Sequence, residues 1–346
     1  MSNILKKCRN YNSIIARDRL KKQLFSLVEH GNERVIVLNS PAGSDKELVA
    51  DTVVSHILCM QPTQAGACLN CASCRYLSAG THPDYIEIAP ESKNKNIAIA
   101  DLRDKLQNDV YLMPQIADKR VWRIQGNALR EDAQNSLLKV LEEPPSYAYF
   151  VITVDDKNSL LETLRSRSRI VDIPRLSKDE LSYLLDEKTD VDAASKNIAV
   201  NFSAGLAELA LKLANDEDLK SDRQKLFKWF IGFPKHSKAD LLSKDFDFFM
   251  EYKDNYEMSF IFLESFMRDL ILLSNLQADE LSQEQLFNQD YKNVLINFQN
   301  KYAYNNKDLS AAIKALNNTK KRLEANANYK VTLAALLLKL GRIFKI

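Results

Sequence analysis

The chain has 346 residues, of which 45% are hydrophobic and 27% are charged, a composition typical of a globular protein with about two or three domains. Its 48 Lys and Arg residues against 46 Asp and Glu residues give a net charge of +2, which argues against a protein that binds nucleic acid through a strongly basic surface of its own. Apolar runs such as Val331–Leu338 fall far short of the roughly 18–20 residues of a membrane span. Since the N-terminus also lacks the apolar stretch of a signal peptide, we expect a cytoplasmic protein with no membrane contact.

The first half of the chain alternates between helical and strand-like patterns. A helical spacing over Arg19–Val28 is followed by the short apolar strand Arg34–Leu38, a turn and a second helical pattern, Glu47–Met60. More elements are predicted downstream: strands Tyr85–Ile88, Arg120–Ile124, Tyr149–Val154 and Ile170–Ile173, and helices Ile99–Gln107 and Glu131–Leu141. Strands that alternate with helices predict an α/β domain with a mainly parallel sheet covered on both faces.

After Pro174 every apolar pattern is helical. The predicted helices are Lys178–Leu185, Ala193–Phe202, Leu206–Ala214, Gln224–Phe230, Phe260–Leu273 and pieces of Leu309–Leu340. We therefore predict an all-α second half, with domain boundaries near Pro174 and near Asn215–Asp218.

Four of the five cysteines lie within sixteen residues, with the spacing Cys59-x8-Cys68-x2-Cys71-x2-Cys74. In a reducing compartment such a cluster indicates metal binding before disulfides. Four thiolates suit a structural, tetrahedral Zn²⁺ that would tie the end of the preceding helix to the loop Ala65–Arg75. Four free thiols or a redox pair are the alternatives, whereas a catalytic zinc would need an open position that four filled ones do not offer. Only Cys8 stands apart in the sequence.

The turn after the first strand resembles a degraded phosphate-binding loop. An intact loop reads G-x-x-x-x-G-K-[ST], where the glycines let the backbone approach the phosphates, the lysine reaches the β- and γ-phosphate oxygens and the hydroxyl binds Mg²⁺. The segment Ser40–Glu47 keeps Gly43 and Lys46. The framing glycines and the hydroxyl are replaced by Ser40, Asp45 and Glu47. Because two carboxylates would repel a triphosphate, we expect no ATP here.

The strand that would carry the magnesium-binding acids of such an ATPase is Arg120–Ile124. It is followed by Gln125, Gly126 and Asn127, none of which is acidic. This second departure also predicts that the chain does not hydrolyse nucleotide.

Two downstream motifs carry a family resemblance. The segment Ala133–Pro145 reads AQNSLLKVLEEPP, and Thr163–Ser168 reads TLRSRS. With the four-cysteine insertion, these motifs resemble the clamp-loader subunits of bacterial DNA polymerase III, within the AAA+ ATPases, and the resemblance covers nearly the whole chain. It implies an AAA+ αβα domain over residues 1–173, a small helical lid over 174–215 and a helical collar domain for oligomerisation over 216–346.

Within this family the delta-prime group commonly departs from the ATPase motifs, and the chain resembles that group most closely. The resemblance aligns Val154 with a polar sensor and Glu208 with a lid arginine that reads the γ-phosphate. The Ser-Arg-Cys motif of the family survives as Ser166-Arg167-Ser168. It implies that Arg167 reaches across an interface to a neighbour's ATP as an arginine finger. Alternatively, Arg167 only solvates the entrance to a strand, as its neighbouring arginines would.

The resemblance thus implies a clamp-loader subunit that does not hydrolyse ATP. Its partners would be the ATPase subunits and the clamp-opening subunit in a hetero-oligomeric ring. The sliding clamp and primer-template DNA would be contacted through the complex. An active clamp-loader ATPase of the same fold and a zinc-dependent nucleic-acid-binding module are the two alternatives.

Overall fold

The computed structural model describes residues 8–91, 96–97, 102, 106, 109–275, 286–325 and 327–346. The chain forms two compact units, one of residues 1–184 with 205–209 and one of residues 185–204 with 210–346. The predicted helix Ile99–Gln107 lies outside the described residues except for Leu102 and Leu106. The division into three domains, with boundaries after residues 173 and 215, stays a prediction.

A five-stranded parallel sheet forms the centre of the first unit. Its strands are β1 Val35–Asn39, β2 Tyr85–Ile88, β3 Arg120–Gln125, β4 Ala148–Val154 and β5 Arg169–Asp172. They lie in the order β2-β3-β4-β1-β5. The interior strand β1 pairs with two strands that follow much later in the chain, with Val35 opposite Phe150 and Ile36 opposite Arg169. The predicted α/β class with a parallel sheet is confirmed.

Helices cover both faces of this sheet. They are α1 Asp18–His30, α2 Lys46–Leu58, α3 Ala72–Ala79, α4 Glu131–Glu142 and α5 Glu162–Ser166. Because successive side chains of a strand point to opposite faces, β1 contributes to two hydrophobic clusters. Ile36 and Leu38 pack with the buried residues of α1 and α2. Val35 and Val37 pack on the other face with those of α4.

Beyond β5 the described residues contain helices and no strand, as the periodicity predicted. The helices are α6 Lys178–Lys188, α7 Ala193–Phe202, α8 Ala207–Asn215, α9 Glu217–Gly232, α10 Lys238–Leu241, α11 Lys244–Met250, α12 Tyr256–Asn275, α13 Lys292–Tyr302, α14 Asn306–Glu324 and α15 Tyr329–Ile343. Aromatic rings fill the core of the second unit: the Phe230 ring lies 5.7 Å from that of Phe266 and 5.5 Å from that of Phe298.

Five helices of the described residues were not predicted from periodicity, and four of them have eight residues or fewer, which is too short for an apolar pattern to repeat. These are α3, α5, α10, α11 and α13. The loop predicted over Ala65–Arg75 is therefore wrong at its end, because α3 begins at Ala72. None of the helices in the described part of the chain combines the length and the apolar character that crossing a bilayer requires.

Candidate functional site

The four clustered cysteines meet between the end of α2 and the first turn of α3. Their Sγ atoms all lie within 4.8 Å of one another. The distances are 4.0 Å for Cys59–Cys71, 3.9 Å for Cys68–Cys74 and 3.7 Å for Cys59–Cys74. Because a disulfide would bring two sulfurs to about 2.05 Å, these are free thiols. Such a set of sulfur ligands could hold one metal ion.

Backbone N–H groups point at the sulfurs and favour the thiolate form. The N–H of Cys68 donates to Cys59 Sγ at 3.2 Å, and that of Cys71 donates to Cys68 Sγ at 3.3 Å. Burial raises the pKa of Cys59 to about 11, and a hydrogen bond with Cys8 raises the pKa of Cys74. At Cys71, burial is outweighed by backbone hydrogen bonds, which lower its pKa to about 7. A bound cation would offset the raised values, because a coordinating thiol loses its proton.

The segment before α1 packs against the cysteine cluster. Cys8 lies against the cluster beside Cys74, so the fold brings the fifth cysteine to the other four. The N–H of Tyr11 donates to the carbonyl of Ala65 at 2.9 Å. Gly66 has a φ of +86°, and a Cβ at this position would lie 2.9 Å from the Tyr11 ring. The left-handed backbone and the close ring together require glycine here.

His82 is buried beside the cluster but takes no part in it. Its Nδ1 accepts from the N–H of Asp84 at 3.0 Å, so its Nε2 carries the proton and faces the Ser73 hydroxyl at 2.8 Å. The Ser73 hydroxyl donates in turn to the carbonyl of Leu58 at 2.6 Å. His82 therefore fixes the connection from α3 to β2. Among the described residues, no histidine belongs to the group of possible metal ligands that the four cysteines form.

Arg17 and Asp45 form a buried ion pair at the degraded phosphate loop. Arg17 Nη1 donates to the two carboxylate oxygens of Asp45 at 2.8 and 2.9 Å, and only 3% of the Arg17 side chain is exposed. Arg17 has a φ of 56°, in the left-handed region that costs a residue with a Cβ about 1–2 kcal/mol. The ion pair offsets this cost and occupies the carboxylate that replaces the second framing glycine.

Lys46 is neutralised by oxygen atoms of the protein itself. Its ammonium group pairs with Asp155, the residue after β4, and donates to the carbonyls of Ser40 and Pro41 at 3.2 and 3.4 Å. In an intact loop this lysine reaches the phosphate oxygens. Here one carboxylate and two carbonyls provide the oxygens.

Glu47 and Asp51 share the buried guanidinium of Arg123. Both carboxylates of α2 pair with this arginine of β3, whose side chain is 4% exposed. Asp51 also lies 3.7 Å from Arg9, in the segment that packs on the cysteine cluster. Glu47 is thus directed at a fixed positive charge in the sheet, although it stands where an intact loop carries its magnesium hydroxyl.

The end of β3 carries amides where an ATPase of this fold carries acids. Gln125 ends the strand, and Asn127 Oδ1 accepts from the N–H of Asp155 at 2.8 Å. Val154, aligned with the polar sensor, is fully buried at the end of β4 and offers no polar group. Among Gln125, Asn127 and Val154 no side chain can bind Mg²⁺ through a carboxylate.

Residues of α8 pack against the phosphate loop at Gly43. The N–H of Leu209 donates to the Gly43 carbonyl at 3.0 Å, and a Cβ on Gly43 would lie 3.3 Å from Leu209 Cβ. Glu208 lies beside the loop, where burial and then the charge of Glu47 raise its pKa. The residue aligned with a γ-phosphate-reading arginine is therefore a further acid at this site.

Arg167 lies at the surface just after α5, with 38% of its side chain exposed. Its Nη2 donates to Glu142 at 2.9 Å and its Nη1 donates to the carbonyl of Thr163 at 3.0 Å. The neighbouring Arg165 donates instead to Asn158 Oδ1 at 3.2 Å. The two arginines therefore have different surroundings, and the role of Arg167 in trans stays a prediction.

Several residues were not assigned to these sites from the sequence, among them Arg17, Arg123, Cys8 and Asp155. Arg17 could have been found, because an acid in place of a loop glycine requires a buried positive partner. For Cys8 the available signal was that it is the remaining cysteine, which could be expected to lie near the other four. Asp155 carried none, since an acid after a buried strand is common.

Comparison with known proteins finds relatives among the subunits of bacterial DNA polymerase III. The sequence model of a family described as "DNA polymerase III, delta subunit" matches residues 17–177. The delta-prime subunit of DNA polymerase III from Pseudomonas aeruginosa is 35% identical over 149 residues, which are 43% of this chain and 44% of that relative. The Escherichia coli delta-prime subunit is 32% identical over 187 residues, 53% of this chain and 54% of that relative. The chain thus spans about half the length of these two relatives.

A more distant relative matches over a longer segment. The Bacillus subtilis delta-prime subunit is 24% identical over 93% of this chain and 95% of its own length. A solved structure of a DNA polymerase III gamma subunit-related protein from Thermotoga maritima is 17% identical, covers 94% of this chain and 100% of its own, and has a TM-score of 0.49. The sequence relatives support the resemblance found in the motifs: the chain is similar to the delta-prime subunits of bacterial DNA polymerase III.

Proposed function

We propose that the chain is a clamp-loader subunit of the replicative DNA polymerase III holoenzyme that neither binds nor hydrolyses ATP. The observation that carries this proposal is the internal neutralisation of the phosphate loop. Lys46 is paired with Asp155, and Asp45 is paired with Arg17. A triphosphate would have to displace these ion pairs and would still meet the carboxyl groups of Glu47 and Glu208. As a replication subunit the chain would work in the cytoplasm.

The four-cysteine cluster would hold a structural Zn²⁺. A tetrahedral ion with Zn–S bonds of about 2.3 Å separates its sulfur ligands by about 3.8 Å. The distances of 3.7, 3.9 and 4.0 Å between the Sγ atoms agree with this value. Because all four positions are filled by thiols, the ion would have no open position for substrate. Its role would be to tie α2, α3 and the loop between them into one body.

Arg167 would act in trans on a neighbouring ATPase subunit. Its guanidinium group lies at the surface and is held by the exposed Glu142. Exposed ion pairs are worth about 0–1 kcal/mol, so an ATP phosphate of a partner could replace Glu142 at little cost. The partners would be the ATPase subunits and the clamp-opening subunit. The loaded clamp and primer-template DNA would be contacted through the complex.

The arginine role is tested in the reconstituted loader with Arg167→Ala. An arginine supplied in trans is worth about 10³–10⁵ in rate in GTPases, so ATP turnover stimulated by clamp and DNA should fall by at least about tenfold. Arg165→Ala is the matched control, since this neighbour is bonded to Asn158 and should leave turnover within about twofold. Size-exclusion chromatography checks that both variants assemble. Unchanged turnover with Arg167→Ala in an intact complex would refute the role.

ATP binding to the isolated chain separates the proposal from an active ATPase. Calorimetric titration with MgATP should give no saturable heat. Saturable binding that disappears with Lys46→Ala would instead favour an active loader ATPase. DNA affinity of the lone chain with a steep dependence on salt would favour the nucleic-acid-binding alternative.

A further inference from the structure

A fifth thiol lies against the four-cysteine cluster. Cys8 packs against the buried part of the cluster, which includes Cys74. It is not a member of the set of four whose sulfurs lie within 4.8 Å of one another. When the four hold a metal ion, Cys8 would be the one thiol at this site whose charge is not drawn to a cation.

The segment that carries Cys8 is fixed by several contacts that do not involve sulfur. The N–H of Arg9 donates to the Ser55 hydroxyl at 3.2 Å, and Arg9 pairs with Asp51 at 3.7 Å. The hydroxyl of Tyr11 lies 3.1 Å from His56 Nδ1. All three partners lie on α2. Cys8 is therefore held beside Cys74 by the fold, and the two thiols do not depend on a chance encounter.

Exposure sets the order in which the two thiols would meet an oxidant. Cys8 is half-buried, whereas Cys74 is fully buried. A thiol is oxidised first where it is accessible, and the resulting sulfenic acid condenses with a thiol beside it. Cys8 therefore has the position of the thiol that peroxide oxidises first, and Cys74 has that of the thiol that then condenses with the sulfenic acid.

We propose that Cys8 and Cys74 are a redox-modification site, which a peroxide converts into a disulfide that expels the metal ion from the cluster. In the first step the Cys8 thiolate attacks H₂O₂, the O–O bond breaks, and Cys8 sulfenic acid and hydroxide form. In the second step the Cys74 thiolate attacks the Cys8 sulfur and releases a second hydroxide. Peroxide is thus reduced by two electrons and the two thiolates are oxidised by two.

Formation of this disulfide removes one of the four ligands. The three remaining thiols, Cys59, Cys68 and Cys71, would leave the tetrahedral site incomplete, and the metal ion would dissociate. This consequence rests on the proposed zinc, whereas the disulfide itself does not. Reduction by a dithiol would restore Cys74 and allow the metal ion to bind again.

The test uses the full chain, loaded with zinc and treated with H₂O₂. Release of zinc is followed with a chromogenic chelator, and disulfides are assigned by peptide mapping without reductant. The wild type should give a Cys8–Cys74 disulfide, and Cys8→Ser should release zinc roughly tenfold more slowly. Met60, which is 50% exposed, serves as an internal control, because its sulfoxide should form equally in both proteins.

Disulfides confined to the four cluster cysteines, or equal release from wild type and Cys8→Ser, would refute the proposal. Zinc content before oxidation is measured separately. A chain that carries no zinc but still forms the Cys8–Cys74 disulfide would contradict the structural zinc while supporting the redox site.

Discussion

The buried pair of Arg17 and Asp45 allows a quantitative test of the degraded phosphate loop. The exposed fraction of the side chain is 3% for Arg17 and 13% for Asp45. If one partner were removed, the charge of the other would therefore stay buried with neither an ion-pair partner nor solvent around it. Breaking a buried ion pair from one side costs about 3–5 kcal/mol. We expect about 3 kcal/mol each for Arg17→Met and Asp45→Asn, because the amide still offers one acceptor and methionine replaces the aliphatic part of the arginine side chain.

The double variant removes both charges and should cost much less than the sum of about 6 kcal/mol. A total of about 3 kcal/mol corresponds to a coupling energy of about 3 kcal/mol. The exposed pair of Lys157 and Asp172, with 40% and 60% of the side chains exposed, is the matched control. Its cycle should give about 0–1 kcal/mol.

Urea unfolding measures these free energies if the signal comes from the first unit alone. The chain has two tryptophans, Trp122 in the first unit and Trp229 in the second. Trp122 is fully buried and stacks on Phe150 with 5.2 Å between ring centroids. A Trp229→Phe background therefore makes Trp122 the reporter in every variant. A coupling energy below about 1 kcal/mol would refute the buried pair.

Three further predictions concern the same unit. Burial lowers the pKa of His56 below its usual 6.5, so the stability that the neutral ring contributes is present above pH 6.5 and is lost as the pH falls through the folded-state value. The advantage of wild type over His56→Gln in unfolding free energy should thus shrink from pH 7.5 to about pH 5.5, and a constant difference would contradict this reading. Gly126→Ala places a Cβ 2.6 Å from Val154 Cγ1 and 3.0 Å from the Thr153 carbonyl oxygen. We therefore expect the free energy of unfolding in urea to fall by about 1–3 kcal/mol. An unchanged midpoint of unfolding would contradict this prediction. Removing metal with a chelator should speed proteolysis between Cys59 and Cys74, and Cys71→Ser should do the same without chelator; equal cleavage of loaded and stripped protein would argue against a structural metal.

The parallel sheet and its alternation with helices along the chain could be predicted because the strands are continuous apolar runs. Arg34–Leu38 and Tyr149–Val154 were predicted within one residue at each end, since β1 and β4 are buried on both faces and each is almost wholly apolar. Helix α3 could not be predicted, because its sequence ASCRYLSA has no apolar stripe. Its position follows from the cysteines at its start and from Ser73, which is bonded to α2.

The meeting of the four cysteines could be predicted from their spacing, and their Sγ atoms lie within 4.8 Å of one another. For the phosphate loop, the sequence predicted only that the groups that bind a nucleotide are missing. Substituted glycines indicate that a nucleotide is disfavoured, but they do not indicate which groups take its place. Arg17, Arg123 and Asp155 come from three different elements, and only the folded chain brings them to the loop.

The order of strands in the sheet has a consequence during synthesis on the ribosome. Val35 of β1 and its partner Phe150 of β4 are 115 positions apart, so at about 5–20 residues per second β1 waits roughly 6–23 s for its first neighbour. During this interval its apolar residues are exposed to other nascent chains and to chaperones. The four clustered cysteines, by contrast, lie within sixteen residues of sequence and can meet while β1 is still unpaired. A metal ion bound at the cluster would order this segment before β4 and β5 are synthesised.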